Sequence, residues 1–150
     1  DEIMEKYDVE KIKTIGDAYM CAGGLPDPDE NHVFNVVEAA FEIIEFINKA
    51  KNSDLMGHQA FDVRIGINTG PVVAGVVGTK KFAYDIWGDT VNVASRMETK
   101  SEIGKINISE STYDLIKDHY ECEFRGEFYV KNKGMMKMFF VNARKKKVQT

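Results

Sequence analysis

Apolar and polar positions alternate with two different periods along this chain, and the two periods predict its helices and strands. Apolar residues over 33–47 recur at intervals of three and four, which predicts a helix of about five turns. Over 61–67 they occupy every second position, as in a strand with one buried face. Further strands are predicted at 9–15, 18–22, 72–77, 82–87, 106–108, 121–130 and 135–142.

Shorter helices complete this pattern. One is predicted over 90–99 with Asp89 as its N-cap, since a carboxylate there accepts hydrogen bonds from free backbone N–H groups. Another follows Ser109, a second candidate N-cap. Residues 1–7 also have helical spacing but no N-cap before them, so we expect a piece of a longer protein. Helices and hairpin strands in this uneven order favour the α+β class, with a largely antiparallel sheet and helices packed on it.

Composition is that of an ordinary globular domain. The chain has 150 residues, 43% hydrophobic and 29% charged, with 20 Lys and Arg against 24 Asp and Glu, which gives a net charge of −4. The negative balance argues against nucleic-acid binding, which requires a basic face. The basic run at 144–147 is expected to be a solvated tail. Cys21 and Cys122 lack metal-site spacing, which indicates reduced intracellular thiols, and no apolar stretch has the length of a membrane span.

Polar residues within apolar segments are the candidates for chemistry, because a buried charge needs a partner. Lys13 lies in a predicted strand, Asp17 at its turn, and Asp85 between aromatic residues. For Lys13 and Asp85 a structural salt bridge, or two charges on edge strands, is an equally good interpretation. Asn92 and Arg96 share a helix face, which either binds one ligand or faces solvent. The chain has no P-loop, no dinucleotide-binding glycine motif and no zinc-hydrolase motif.

Three blocks of sequence carry a family resemblance. They read KIKTIGDAYM at 11–20, RIGINTGPVVAGVVG at 64–78 and GDTVNVASRM at 88–97. Together they closely resemble the catalytic domain of class III nucleotide cyclases, in the family's order and spacing. The resemblance implies a ferredoxin-like α+β domain over 1–142, without its N-terminal strand and most of its first helix, followed by a basic tail at 143–150.

The resemblance also implies a reaction and roles for named residues. The family turns the ribose 3′-hydroxyl of a nucleoside triphosphate onto its own α-phosphate and releases pyrophosphate, with two Mg²⁺ or Mn²⁺ ions. Asp17 corresponds to one of two metal-binding aspartates, Asn92 to the residue that orients the ribose, and Arg96 to the arginine at the α-phosphate. Lys131 corresponds to a lysine that meets the terminal phosphates, although Asn132 stands where glycine is usual. The alternative for Lys131 is an exposed hairpin lysine.

Lys13 and Asp85 fall where the family reads the base. Adenine offers an acceptor at N1 and a donor at its 6-amino group, which a lysine and an aspartate complete, whereas guanine reverses the pattern. Guanine-selective members carry a Glu and a Cys, or similar residues, at these positions. We therefore expect an adenylate cyclase that uses ATP, with guanylate cyclase and a non-catalytic, regulatory cyclase-like half as the alternatives.

The resemblance further implies an assembly. In the family each site forms between two subunits, so that Lys13 and Asp17 would serve opposite sites. We expect a homodimer, or a cyclase heterodimer, in the cytoplasmic part of a longer protein, with no nucleic-acid partner and no membrane contact from this segment. The second metal aspartate would lie upstream of Asp1. The chain alone is therefore expected to be weakly active or inactive, and a form extended upstream to be active.

Overall fold

The computed structural model describes residues 2–15, 18–25, 31–51, 62–77 and 83–146. These ranges contain helices and strands in the mixed order that the sequence predicts, and the α+β class is confirmed. The helices are α1 (Glu2–Lys6), α2 (His32–Lys51), α3 (Asp89–Thr99) and α4 (Glu110–Ile116). The strands are β1 (Glu10–Ile15), β2 (Ala18–Ala22), β3 (Ile65–Ile67), β4 (Val73–Val77), β5 (Ala83–Trp87), β6 (Ile106–Ser109), β7 (Tyr120–Val130) and β8 (Gly134–Arg144).

The described strands pair into one larger sheet and two separate two-stranded units. The larger sheet has the order β3-β6-β8-β7, in which β3 and β6 are parallel and the other pairs are antiparallel. The two-stranded units, β1 with β2 and β4 with β5, are both antiparallel. Antiparallel pairing therefore dominates, as predicted.

Helices cover both faces of the four-stranded sheet. The main core includes Val37 of α2 and Ile108 of β6, both fully buried, together with Phe139 of β8. A second apolar cluster joins Met97 of α3 to Met138 of β8. Met138 and Phe139 are neighbours on one strand and so point to opposite faces, which places α2 and α3 on opposite sides of the sheet. None of the helices in the described ranges is long and apolar enough to cross a membrane.

The N-cap predicted for α3 and some strand boundaries differ from the structure, whereas Ser109 is the N-cap of α4 as predicted. Gly88, with a φ of 118°, is the N-cap of α3, and Asp89 lies within the first turn. The left-handed turn between β5 and α3 favours glycine, which explains why Asp89 is not the cap. Ser109 does precede α4, but its buried hydroxyl donates to Asn68 Oδ1 at 2.6 Å and makes no capping hydrogen bond. The strand predicted from residue 61 is assigned from Ile65 onward among the described residues.

Strand β8 continues two residues past the boundary predicted at 142. Ala143 and Arg144 pair with the start of β7. The Nε of Arg144 lies 2.8 and 2.9 Å from the two carboxylate oxygens of Glu38 on α2, and Tyr120 donates to the same carboxylate at 2.8 Å. Arg144 is exposed, as predicted for the basic run, but it belongs to β8 and is ion-paired to α2, so it is not part of a free tail.

Candidate active site

Lys13 and Asp85 form an ion pair that joins β1 to β5. The Nζ of Lys13 lies 2.8 Å from Oδ1 of Asp85 and 3.1 Å from Oδ2. Oδ1 also accepts a hydrogen bond from the backbone N–H of Ile86 at 2.9 Å. The Lys13 hydrogen bond, supported by the Ile86 N–H, holds the pKa of the Asp85 carboxyl below its ordinary value. The two side chains keep 37% and 21% of their exposure, so the pair remains accessible from solvent.

A bulge in β1 lies directly before Lys13. Lys11 pairs with Cys21 and Lys13 with Met20, which leaves Ile12 as the extra residue. Ile12 is buried, while the neighbouring Lys13 turns toward β5. A β-bulge commonly re-aims a side chain in this way. The strand alternation of the sequence does not reveal the bulge.

A cleft of about 390 Å³ lies between α3 and the turn that joins β7 to β8. Asn92 and Arg96 line the cleft from the helix, and Lys131 lines it from the turn. Both α3 residues are exposed, whereas Val93 on the same helix is buried. The structure thus brings these three sequence-predicted residues into one cavity.

The turn that carries Lys131 has a defined backbone shape. The N–H of Lys133 donates to the carbonyl of Val130 at 2.9 Å. Asn132 has a φ of 70° and Gly134 a φ of 82°. Asparagine enters the left-handed region more readily than other residues with a Cβ. Asn132 therefore adopts a conformation that suits the glycine usual at this position.

Polar side chains hold the C-terminal end of α3. The fully buried Asn107 of β6 donates from Nδ2 to the carbonyl of Met97 at 2.9 Å. Arg125 of β7 donates to Oδ1 of Asn107 at 3.0 Å and to the carbonyl of Lys100 at 2.8 Å. These contacts satisfy carbonyls at the end of the helix that presents Asn92 and Arg96 to the cleft.

The same helix is fixed to β3 and to the segment that follows it. Asn68 donates from Nδ2 to the carbonyl of Thr90 at 3.0 Å, in the first turn of α3. Farther along, a Cβ placed on Gly66 would lie only 2.0 Å from the backbone nitrogen of Glu98. The backbones of β3 and α3 are therefore in direct contact, which fixes the distance of the helix from the sheet.

Sequence reasoning missed two charged residues of the cleft. Asp89, in the first turn of α3, forms an ion pair with Lys133 on the turn, and both line the cavity with Lys131. Both are charged residues in the sequence: Lys133 lies two residues after Lys131, and Asp89 is the predicted N-cap of the helix at 90–99. Their separation along the chain follows no local spacing rule, so their contact could not be read from the sequence.

Some predicted site residues do not meet in the described structure. The Lys13–Asp85 pair does not line the cleft of Asn92, Arg96 and Lys131, although β5 runs through Gly88 directly into α3. Asp17, the predicted metal ligand, lies outside the described residues. Within the described ranges, no group of three or more His, Cys, Asp or Glu side chains is placed to hold a metal ion.

An α+β domain with a paired lysine and aspartate between two strands, and a cationic cleft under an Asn–Arg helix, fits the catalytic domain of a nucleotide cyclase. The family model of the adenylate and guanylate cyclase catalytic domain matches residues 1–143. The chain belongs to this family, and the predicted class III cyclase resemblance is confirmed.

Relatives of both base specificities are similar to this chain. An adenylate cyclase of Mycobacterium tuberculosis is 40% identical over 145 residues, which cover 97% of this chain and 32% of that protein. A membrane guanylyl cyclase of Dictyostelium discoideum is 39% identical over 144 residues, which cover 95% of this chain and 10% of that protein. The chain thus spans about a third and a tenth of these relatives.

A solved structure agrees with the described fold. The crystal structure of the guanylate cyclase domain of a Catenaria anguillulae protein in complex with GTP superposes with a TM-score of 0.86 at 40% identity. The match covers 97% of this chain and 78% of that one.

Proposed function

We propose that this chain is the catalytic domain of an adenylate cyclase, which converts ATP to 3′,5′-cyclic AMP and pyrophosphate. The observation that carries the proposal is the ion pair between Lys13 and Asp85. It presents a donor and an acceptor side by side at a position that solvent reaches. Family membership supplies the reaction class, and this pair supplies the choice of base.

The hydrogen-bonding capacity of the pair matches adenine. The Lys13 ammonium has three N–H donors, and the contacts to Asp85 leave at least one of them for the N1 acceptor of adenine. The Asp85 carboxylate has further lone pairs that accept from the 6-amino group. Guanine would place its N1–H against the ammonium and its O6 against the carboxylate. Lys13 and Asp85 would then each lack a hydrogen-bond partner on the base. Unpaired polar groups in a binding site weaken binding strongly, so the pair should discriminate against guanine.

The cleft beside α3 suits the ribose and the phosphates. In the proposed reaction the 3′-oxygen forms a bond to the α-phosphorus, the bond to pyrophosphate breaks, and the hydroxyl loses its proton. Asn92 orients the ribose for this in-line attack. The Arg96 guanidinium is permanently charged and compensates the charge that builds on the phosphoryl oxygens, while Lys131 meets the terminal phosphates.

The proposal includes two divalent ions, Mg²⁺ or Mn²⁺, one of which would lower the pKa of the attacking hydroxyl when bound. Asp17 is the ligand that we propose from this chain, and it lies outside the described residues. We also propose a two-fold homodimer, or a heterodimer with a second cyclase chain, that shares its sites across the interface. Its proposed location is the cytoplasmic part of a longer protein.

Base preference tests the proposal directly. Cyclic AMP and cyclic GMP formation are measured for this chain and for a form extended upstream, each with ATP and with GTP. We expect the extended form to prefer ATP and the chain alone to be weakly active. The Lys13→Glu, Asp85→Cys double substitution should shift the preference toward GTP, because it exchanges the donor and acceptor pattern.

The control makes the same substitutions at another ion pair. Lys6 of α1 and Glu42 of α2 lie 2.9 Å apart, and Lys6→Glu with Glu42→Cys should leave base preference unchanged. A native preference for GTP, or an unaltered preference in the Lys13, Asp85 double variant, would refute the base assignment. Guanylate cyclase is the second candidate function, because a guanylyl cyclase is among the relatives similar to this chain. Nucleotide binding without turnover by either form would favour the non-catalytic alternative.

A further inference from the structure

The cleft beside α3 contains an ion pair that the reaction itself does not explain. Asp89 lies in the first turn of α3, and Lys133 lies two residues after Lys131 on the turn between β7 and β8. Their charged groups are in direct contact, and both residues line the same cavity as Arg96 and Lys131. The pair therefore connects the two walls of the cleft at their charged groups.

We propose that Asp89 and Lys133 are positioning residues, which hold the Lys131 turn against α3 so that a polyphosphate meets Lys131 and Arg96 together. The proposal rests on the proposed function, because it takes the occupant of the cleft to be the phosphate chain of a nucleotide. The Lys133 N–H closes the turn on Val130, so the ion pair acts on a segment with a fixed backbone shape. Tethering Lys133 therefore also restrains Lys131.

The charges of the cleft distinguish this role from direct phosphate binding. If Lys133 itself bound phosphate, Asp89 would compete with the ligand, and removing the carboxylate would strengthen binding. If the pair is a tether, loss of either partner frees the same turn. Both single variants then weaken binding, and the double variant is no weaker than each single one.

The size of the effect follows from exposure. The side chains of Lys133 and Asp89 keep 39% and 61% of their exposure, and exposed ion pairs are weak. We therefore expect each single variant to weaken polyphosphate binding by about 1.5-fold to fivefold. High salt should reduce this difference, because screening weakens the tether in the unsubstituted chain.

Calorimetric titration with inorganic tripolyphosphate at low salt tests the proposal on the full chain. Asp89→Asn and Lys133→Gln should each weaken binding, their combination should add nothing, and Lys133→Arg should retain it. The exchange of Asp89→Lys with Lys133→Asp should restore most of the affinity. The matched control is the ion pair of Glu110 and Lys137, 3.5 Å apart, which connects α4 to β8 and lies outside this cleft. Glu110→Gln and Lys137→Gln should leave binding unchanged.

Opposite effects of the two single variants, additive effects in the double variant, or no restoration by the exchanged pair would overturn the proposal. So would an unsubstituted chain that does not bind tripolyphosphate. Thermal unfolding of each variant separates lost binding from lost folding. If a single variant does not fold, the test is the affinity of the variant with Asp89→Lys and Lys133→Asp. Because tripolyphosphate has no base, a preference for GTP or an absence of cyclic AMP would refute only the adenylate cyclase assignment.

Discussion

Replacing Asn107 by leucine is expected to loosen the helix that presents Asn92 and Arg96. Asn107 is fully buried between the sheet and α3, where its amide donates to the Met97 carbonyl at 2.9 Å. Its carbonyl oxygen accepts from Arg125 at 3.0 Å. Leucine is similar in size but provides neither group, so the substitution removes both hydrogen bonds while leaving the site filled.

The magnitude follows from these two bonds. A neutral buried hydrogen bond contributes about 1 kcal/mol, and one from a charged donor about 1.5 to 3 kcal/mol. Burial of the leucine side chain next to the sulfur atoms of Met97 and Met138 offsets part of that loss. The net loss should be about 2 kcal/mol, which in a domain of this size lowers the melting temperature by about 4 to 8 °C.

Thermal and urea unfolding followed by circular dichroism measure this loss. The matched control is Asn142→Leu, at an exposed asparagine on β8 whose amide donates to Glu123 at 3.2 Å. This control should change the free energy of unfolding by less than about 0.5 kcal/mol. An Asn107→Leu variant as stable as the parent would show that the buried amide does not hold α3, and would refute the reasoning.

Two further substitutions test other parts of the fold. Hydrogen bonds from Arg144 and Tyr120 hold the pKa of Glu38 below its ordinary value. The ionised carboxylate therefore stabilises the fold fully at a pH above the ordinary pKa. This stabilisation is lost as the pH falls through the lowered pKa. Glu38→Gln should therefore cost about 2 kcal/mol at pH 7 and progressively less in acid, measured by urea unfolding from pH 7 to pH 3; a pH-independent difference would contradict this. Gly66→Ala should destabilise by more than about 3 kcal/mol or prevent folding, because its Cβ would overlap the backbone of Glu98; an alanine variant of normal stability would show that α3 shifts freely on β3.

Hydrophobic periodicity was enough to predict most of the described elements. The long helix α2 follows directly from a spacing of three to four, and the strands β7 and β8 were predicted as extended runs. The N-cap of α3 was harder, because the backbone angle needed before this helix favours Gly88 over the neighbouring Asp89. Where several residues compete to begin a helix, local propensity does not decide which one does.

The candidate site was predicted in pieces rather than as a whole. Lys13 and Asp85 are charged residues within predicted strands, and a structural salt bridge between them was one interpretation of the sequence. The structure shows this ion pair. Their role in base recognition remains a prediction. Asn92, Arg96 and Lys131 meet in one cleft, but the sequence contained no rule for the Asp89–Lys133 contact. Contacts between residues distant along the chain depend on the packing of α3 against the β7–β8 hairpin, which periodicity does not specify.

The contact between Lys13 and Asp85 also has a consequence for how this domain can evolve. A change at either position alone leaves a half-buried charge without its counter-ion, whatever happens to nucleotide choice. The first of two substitutions toward a different purine preference therefore costs stability. We expect positions 13 and 85 to change together among descendants of this gene.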